Sequence, residues 1–436
     1  MHSSTRGAVS RRVIATLTSA AIAGALIGCA SSAESSALTG GAVPDNETTL
    51  TVWSFLPSNY DGGAEAYAEL IDRFEERYPQ VTVDLVDQPY PTYFDQLRNA
   101  SVARKGPDVV TMYGAAQAFS FKNALFPLQD ALDPEVLDAL RFVPETYSKD
   151  GNLYVAPVGT YGYTMMANDE LLAANGVDPA EALSSWDALL DTCTTLADAG
   201  VQPIATGWKD GILLETYLYM FTAQLMDETQ LSAWIDGTMQ IDDPLFAEAV
   251  DATLEMRDAG CFGGDASLGR TMYTDSFDQF DTGAAAFGIG STSDQVVRAE
   301  GVLPAVSVHA FPQLPGSHYE QLIDAGPEAG WGVTRWTKSP EAAVAFVDFL
   351  ASEEAQMVLW EQTRVVPNVE GFAEPASTPT QQQFIDLIQM PENHTGFAAF
   401  PVPVLASLER NAVPLMAGDL STEELLAKAA TASRAG

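Results

Sequence analysis

Residues 150–172 read DGNLYVAPVGTYGYTMMANDELL. Asp150-Gly151 is a turn pair that feeds a short apolar strand ending at Pro157. A Gly- and Tyr-rich loop is expected next, with Tyr161 and Tyr163 in its middle, followed by a second apolar run. Polar Asn168-Asp169-Glu170 then opens a helix at Leu171. Loops between packed elements are where binding residues concentrate, so both tyrosines are candidates.

Upstream, Thr49–Phe55 alternates and then turns aromatic, as a first strand does. Tyr67, Leu70, Ile71, Phe74 and Tyr78 recur at steps of three and four, one face of a helix that Pro79 stops. Val81, Val83 and Leu85 alternate as a second strand; Tyr93, Leu97 and Val102 mark a helix closed by Lys105-Gly106; residues 107–110 form a short buried strand. This β-α-β-α-β order predicts parallel pairing, with ligands bound beyond the carboxyl ends of the strands, at 53–56 and 111–115. Downstream, Trp186, Leu189, Leu190, Cys193 and Leu196 make a helix stripe ended by Gly200. Residues 216–225 are apolar and aromatic enough for a buried helix, and Phe246, Val250 and Leu254 mark another. Ser339-Pro340-Glu341 is a helix start, with an N-cap serine, proline at the first position and an acid in the first turn.

The opening stretch resembles the "dG..Y..P......yN.dl" signature of the bacterial extracellular solute-binding proteins, and in particular their maltose-binding-protein-like, sugar-binding branch. Ala167 departs from it, standing where the family has Tyr or Trp before the asparagine. Further segments resemble the family in matching order: Ala124–Leu128, SSWDALLDTCTTLADAG at 184–200, Phe280–Phe287, SPEAAVAFVDFLASEEAQ at 339–356, and Met416–Glu424. After Phe287 the run continues Gly288–Thr292 without the family's usual Trp. The resemblance implies a two-lobed periplasmic-binding-protein-like α/β fold, each lobe a sheet flanked by helices, with a hinge between. Lobe 1 would take 48–160 and 331–375, lobe 2 161–330 and 376–436. It also implies a substrate-binding subunit of an ABC importer. Such a subunit captures a sugar or oligosaccharide outside the cytoplasmic membrane by hinge closure, and then docks on membrane permease subunits. A monomer without cofactor is expected.

The N-terminus reads as an export signal. Arg6, Arg11 and Arg12 precede the apolar, small-residue run Val13–Ile27, which is shorter than the roughly 20 residues a spanning helix needs. Leu26-Ile27-Gly28-Cys29 resembles a lipobox, which implies cleavage after residue 28, lipidation of Cys29 and a flexible tether over 29–47. Ser10-Arg11-Arg12 leaves the Sec and Tat routes both open.

The formal net charge is −38, and losing the three leader arginines takes it to −41. Such a surface repels phosphate backbones, which excludes nucleic acid as a partner. After Cys29 only Cys193 and Cys261 remain; export permits a disulfide between them, and two buried thiols are the alternative. No Cys/His cluster has metal spacing. No G-x-S-x-G elbow, P-loop or Rossmann glycine triplet is present, so no enzyme is expected.

A sugar presents an apolar C–H face and a rim of hydroxyls. Its site therefore needs aromatic planes and a few fixed carboxylates. Phe55 and Tyr113 follow the first and third strands; Tyr161 lies in the crossing segment; Trp208 stands between Gly207 and Lys209-Asp210, a setting that reads as exposed; Trp331 lies between glycines that let a ligand approach. Asp61 and Asp210 are the carboxylate candidates, with Asp294 behind them. Trp53, Tyr163, Phe397 and Phe400 are secondary, and Trp234 and Trp360 read as packing residues. The alternatives are a binder of another solute (ferric ion, polyol or other small molecule), an anchored glycosidase, and a surface adhesin or sensor partner.

Overall fold

The computed structural model describes residues 42–396 and 399–435. The leader, Cys29 with its lipobox, most of the tether and Phe397 lie outside the described residues.

Among the described residues nine strands form two sheets. In β1 (Thr48–Ser54), Leu50, Val52 and Ser54 point inward, as the alternation predicts. It pairs in parallel with β2 (Val81–Asp87) and β3 (Val109–Met112). Helices Gly63–Arg77 and Tyr90–Ala103 make the two crossovers. The first buries Ala66, Tyr67, Leu70 and Phe74, and the second ends where Arg104 turns left-handed. β9 (Ala325–Val333) enters from far along the chain and runs antiparallel between β3 and β4 (Ala156–Gly162). The sheet order is β2-β1-β3-β9-β4.

The second sheet has the order β6-β7-β5-β8, from Gln202–Ile204, Ala285–Gly290, Thr164–Asn168 and Val306–His309. Its core is built on helix Ile212–Leu225, where every residue after Ile212 is buried. That burial is why the segment reads as apolar all round rather than striped. Helices Trp186–Asp198, Pro244–Asp258 and Val402–Met416 share this core. The sulfurs of Cys193 and Cys261 are bonded, tying the first of these helices to the end of the second.

The Gly- and Tyr-rich segment, expected as a loop, is a strand. β4 runs through it from Ala156 to Gly162 with all seven residues buried, and only Tyr163 separates it from β5. The sheet wins because β9 supplies antiparallel partners from Ala156 to Gly162. Asn168 accepts a hydrogen bond from the Leu171 amide at 3.1 Å and caps helix Asp169–Ala174.

The chain thus passes between the sheets at Tyr163 and returns at Asp324. The Tyr163 amide donates to the Asp324 carbonyl at 2.9 Å, joining the two crossings. Near a third passage, the Thr160 amide donates to Val366 O at 2.8 Å. Helices Pro340–Ala351 and Glu353–Thr363 contribute to the core of the first sheet. Helix Pro379–Ile388 contributes to the smaller core beside β8. β9 belongs whole to the first sheet, so the return falls at Ala325, ahead of the expected residue 331.

Candidate functional site

β1 and β3 are neighbours and end on the same side, so the residues that follow them meet. Tyr93 fastens helix Tyr90–Ala103 there: its hydroxyl donates to Thr111 O at 2.8 Å, with Trp53 O also within reach at 3.1 Å. Phe55 lies beneath, 5.0 Å edge-on from both Tyr90 and Tyr93 and 5.9 Å from Tyr113. Above this floor Tyr90 and Tyr113 are half-buried, and their side chains are hydrogen-bonded to each other.

The second lobe faces them with its own rings. Tyr163, half-buried at the crossing, stacks at 29° and 6.3 Å on Tyr219 of helix Ile212–Leu225. Phe400 supports Tyr219 from behind at 5.1 Å. The Tyr219 hydroxyl donates to Glu215 Oε2 at 3.1 Å. Glu215 sits in the first turn of the same helix, only 6 % exposed. Its carboxyl stands against that of Glu409 on helix Val402–Met416, close enough for one proton to be shared. Gly211 makes the approach possible: at φ 78° it starts the helix, and a Cβ there would lie 2.3 Å from Glu409 Cα. Burial, then the charge of Glu409, pushes the Glu215 carboxyl well above the usual carboxylate range. Asp210 completes the group. Its Oδ2 accepts from the Met272 amide at 3.0 Å, and burial raises its carboxyl too. The fields of Glu215 and Glu409 reach across to Tyr90, whose phenol burial pushes up to about 12. Rings of one lobe therefore face rings and acids of the other.

The sequence candidates divide sharply. Tyr113 and Asp210 belong to this facing set. Phe55 is its floor, 1 % exposed. Tyr161 is buried at the crossing, its hydroxyl donating to Asp324 Oδ1 at 2.7 Å with Thr395 Oγ1 at 2.7 Å; its ring meets Tyr163 edge-on at 5.4 Å. Asp61 is exposed on the turn before Gly62.

Trp208, read as exposed, is fully buried in the second core, 4.9 Å from the Phe262 ring. Trp331, expected as a ligand platform, is 1 % exposed in the first core, 5.8 Å from Tyr67. The flanking glycines do mark close approaches, but of the protein's own backbone. A Cβ on Gly207 would meet Thr271 O at 2.2 Å, and one on Gly330 would meet Ala156 O at 2.2 Å. The three rings expected to share one opening thus lie in two interiors and at the crossing, and a different set of four tyrosines spans the lobes.

Sequence reasoning passed over Tyr90, Tyr219, Glu215 and Glu409. A signal existed for Glu215, a lone acid in the apolar run ILLETYLYMF. None existed for Glu409. A hollow of about 830 Å³, bounded by Arg98, Lys122, Lys149 and Arg434, lies apart from all these residues.

A second acidic cluster sits beside the crossings. Glu328 on β9 accepts from the Tyr60 hydroxyl, with Asp294 of the second lobe nearby. Burial, then the charge of Asp294, pushes the Glu328 carboxyl up to about 8, against the lowering effect of the Tyr60 hydrogen bond. A raised carboxyl contributes stability that is fully present below the unfolded value, near 4.3, and is lost as pH rises through the folded one. Glu328→Gln is therefore expected to flatten the decline of unfolding free energy between about pH 4.3 and 8, read from urea melts across that window. An unchanged slope would remove Glu328 as its source.

A family model of the bacterial extracellular solute-binding proteins matches residues 58–357, more than half of the chain. The sn-glycerol-3-phosphate-binding periplasmic protein UgpB of Salmonella typhimurium is 24 % identical over 339 residues, 73 % of this chain and 74 % of that protein. An arabinooligosaccharide-binding protein of Halalkalibacterium halodurans is 26 % identical over 154 residues, only 33 % of this chain and 32 % of that protein. Among solved structures, a chitin oligosaccharide binding protein superposes with a TM-score of 0.76 at 21 % identity, covering 89 % of this chain and 98 % of the other. The GacH receptor of Streptomyces glaucescens superposes with a TM-score of 0.68 at 19 % identity, covering 89 % and 98 %. The two hydrogen-bonded crossings, the two sheets they join and the matched residues give one conclusion: the chain belongs to the bacterial extracellular solute-binding proteins.

Proposed function

We propose that this chain captures a sugar or short oligosaccharide for an ABC importer, gripping it between Tyr90 and Tyr113 of one lobe and Tyr163 and Tyr219 of the other. The observation that carries this reading is the pairing of opposed aromatic planes, half-buried at Tyr90, Tyr113 and Tyr163 and buried at Tyr219, with carboxylates, contributed from both sides of the crossings. Planes stack on the C–H faces of a sugar ring, and Glu215, Glu409 and Asp210 accept from its hydroxyls. A ligand touched by both lobes binds the closed form better than the open one, which is what drives closure. The closed form then docks on membrane permease subunits, and a lipid on Cys29 keeps the protein at the membrane outside the cell.

Three carboxyls facing the gap disfavour a phosphate-bearing guest such as the one named for UgpB. They also differ from a glycosidase pair, whose carboxyls stand about 5–9.5 Å apart rather than in contact.

The test is calorimetric titration of a soluble form lacking residues 1–41 with a panel of mono- and oligosaccharides. A true ligand at 100 times its Kd stabilises the protein by about 2.7 kcal/mol. Tyr90→Ala is expected to weaken that binding about 10-fold, roughly 1.4 kcal/mol of lost stacking. If no carbohydrate binds while an amino acid, peptide or metal ion does, the reading falls; a Tyr90→Ala protein of undiminished affinity would move the site elsewhere.

A further inference from the structure

Resting on that reading, we infer that the preferred guest is a sugar bearing an unacylated, protonated amine, seated against Glu215 and Glu409. The charged groups facing this spot can be named from every side. Helix Ile212–Leu225 contributes Glu215 and Tyr219; the preceding turn contributes Lys209 and Asp210; the turn Met272–Ser276 contributes Asp275, with Arg270 before it; helix Val402–Met416 contributes Glu409 and the exposed Arg410; the opposite lobe contributes Tyr90 with Tyr113. Of the cations, the solvated Arg410 stands by Glu409, and Lys209 and Arg270 stand by Asp275. Among the described residues, no ion pair engages Glu215, Glu409 or Asp210.

Two buried acceptors ask for a donor. Apart from a proton shared with Glu409, Glu215 Oε1 has no hydrogen-bond partner, and neither has Asp210 Oδ1. Buried carboxyl groups are ordinarily paired or hydrogen-bonded, and leaving them otherwise is costly. A guest can supply what is missing. A hydroxyl brings one donor and no charge. An acylated amine likewise brings one donor and no charge. A quaternary ammonium brings charge and no donor. A primary ammonium brings three donors and the charge, and the surrounding tyrosine faces attract it as well. Among the described residues no group of three His, Cys, Asp or Glu side chains could hold a metal ion, so the arrangement suits an organic cation better. The net charge of −38 draws cations toward the protein from a distance.

Without an ammonium the pair keeps a proton, because two adjoining carboxyls, that of Glu215 buried and that of Glu409 half-buried, do not both ionise. Seating an ammonium ionises the pair, and that proton leaves to solvent. No covalent bond changes. By linkage, affinity for the amine rises with pH until the amine itself deprotonates.

The experiment uses the soluble form lacking residues 1–41. Isothermal titration compares glucosamine and its β-1,4 dimer to tetramer with the N-acetylated series, the neutral glucose series of equal length, and choline. Each is run at pH 6 and pH 7.5 in two buffers of different ionisation enthalpy. The amine series is expected to bind roughly 10–100-fold tighter than either other sugar series, the range of one charge-assisted hydrogen bond. At pH 6, where the free amine is already protonated, it should release close to one proton, which the acetylated and neutral sugars do not; at pH 7.5 proton uptake by the partly neutral amine lowers that number. In Glu215→Gln the preference ratio and the proton release are both expected to collapse. Glu409→Gln, on a less buried side chain, serves if the first variant does not fold. Equal or tighter binding of acetylated or neutral sugars overturns the amine assignment and leaves the sugar reading standing. Tight amine binding without proton release, or with the preference intact in both variants, moves the amine away from this pair. Binding of choline alone, or of nothing in the set, overturns the inference; the broader sugar panel then decides the parent reading separately.

Discussion

Trp331→Ala is expected to lower the unfolding free energy by about 3–5 kcal/mol, the cost of truncating a large core aromatic, while sugar affinity stays within about 3-fold. The indole is 1 % exposed on β9, opposite Thr111 of β3 and Ala156 of β4, and packs against Tyr67 of a crossover helix. It lies on an inner strand of the five-stranded sheet, between β3 and β4, so its removal leaves a cavity that flanking strands cannot collapse to fill. Trp208→Ala should behave alike in the other lobe, where Phe262 and Tyr217 surround the ring. Circular dichroism in urea gives the stability, and titration gives the affinity. A Trp331→Ala protein of near-native stability with affinity reduced more than about 10-fold would return this residue to the ligand and contradict its burial.

The second large effect is expected from the disulfide. Removing it as the Cys193→Ala/Cys261→Ala double variant should cost about 2–5 kcal/mol, because the bond closes a long loop and restricts the unfolded chain. The two cysteines are separated by 68 residues and both sulfurs lie in the second core. The bond holds helix Trp186–Asp198 to the end of helix Pro244–Asp258, beside β6, where Ile204 N donates to Cys261 O at 3.0 Å. The loss should appear as a lower urea midpoint, reproduced in the parent protein by a reductant. A double variant as stable as the parent would mean that unreduced loop entropy contributes nothing measurable here. Binding should persist in the surviving fold, since neither cysteine is among the facing rings and acids.

The balance between the two cores and the gap explains why binding and stability separate in these variants. Tyr90, Tyr113 and Tyr163 are half-buried, so truncating them removes little packing. Tyr219 is an exception: 2 % exposed and in contact with Phe400, it belongs to a core and to the gap at once.

By itself, the sequence determined the local elements and their order. Strands β1 to β3, their two crossover helices and the helices opening at Trp186 and Pro340 all follow from short-range periodicity, caps and proline stops, which act within one or two turns of chain. The order of loose motifs was enough to name the family, because each lies where the fold needs a strand end or a helix start. Only the tertiary structure decided that residues 156–162 form a strand, since β9, the partner that makes it one, arrives from beyond residue 324. Only the tertiary structure could place the aromatics, too. A glycine beside a tryptophan announces that some backbone comes close, and at Gly207 and Gly330 that backbone is the protein's own. Glu215, Glu409 and Tyr90 have no local signature in common. They meet because the starts of two helices and the middle of a third, Val402–Met416, converge on one gap, and long-range convergence of that kind leaves no periodic trace in a single chain.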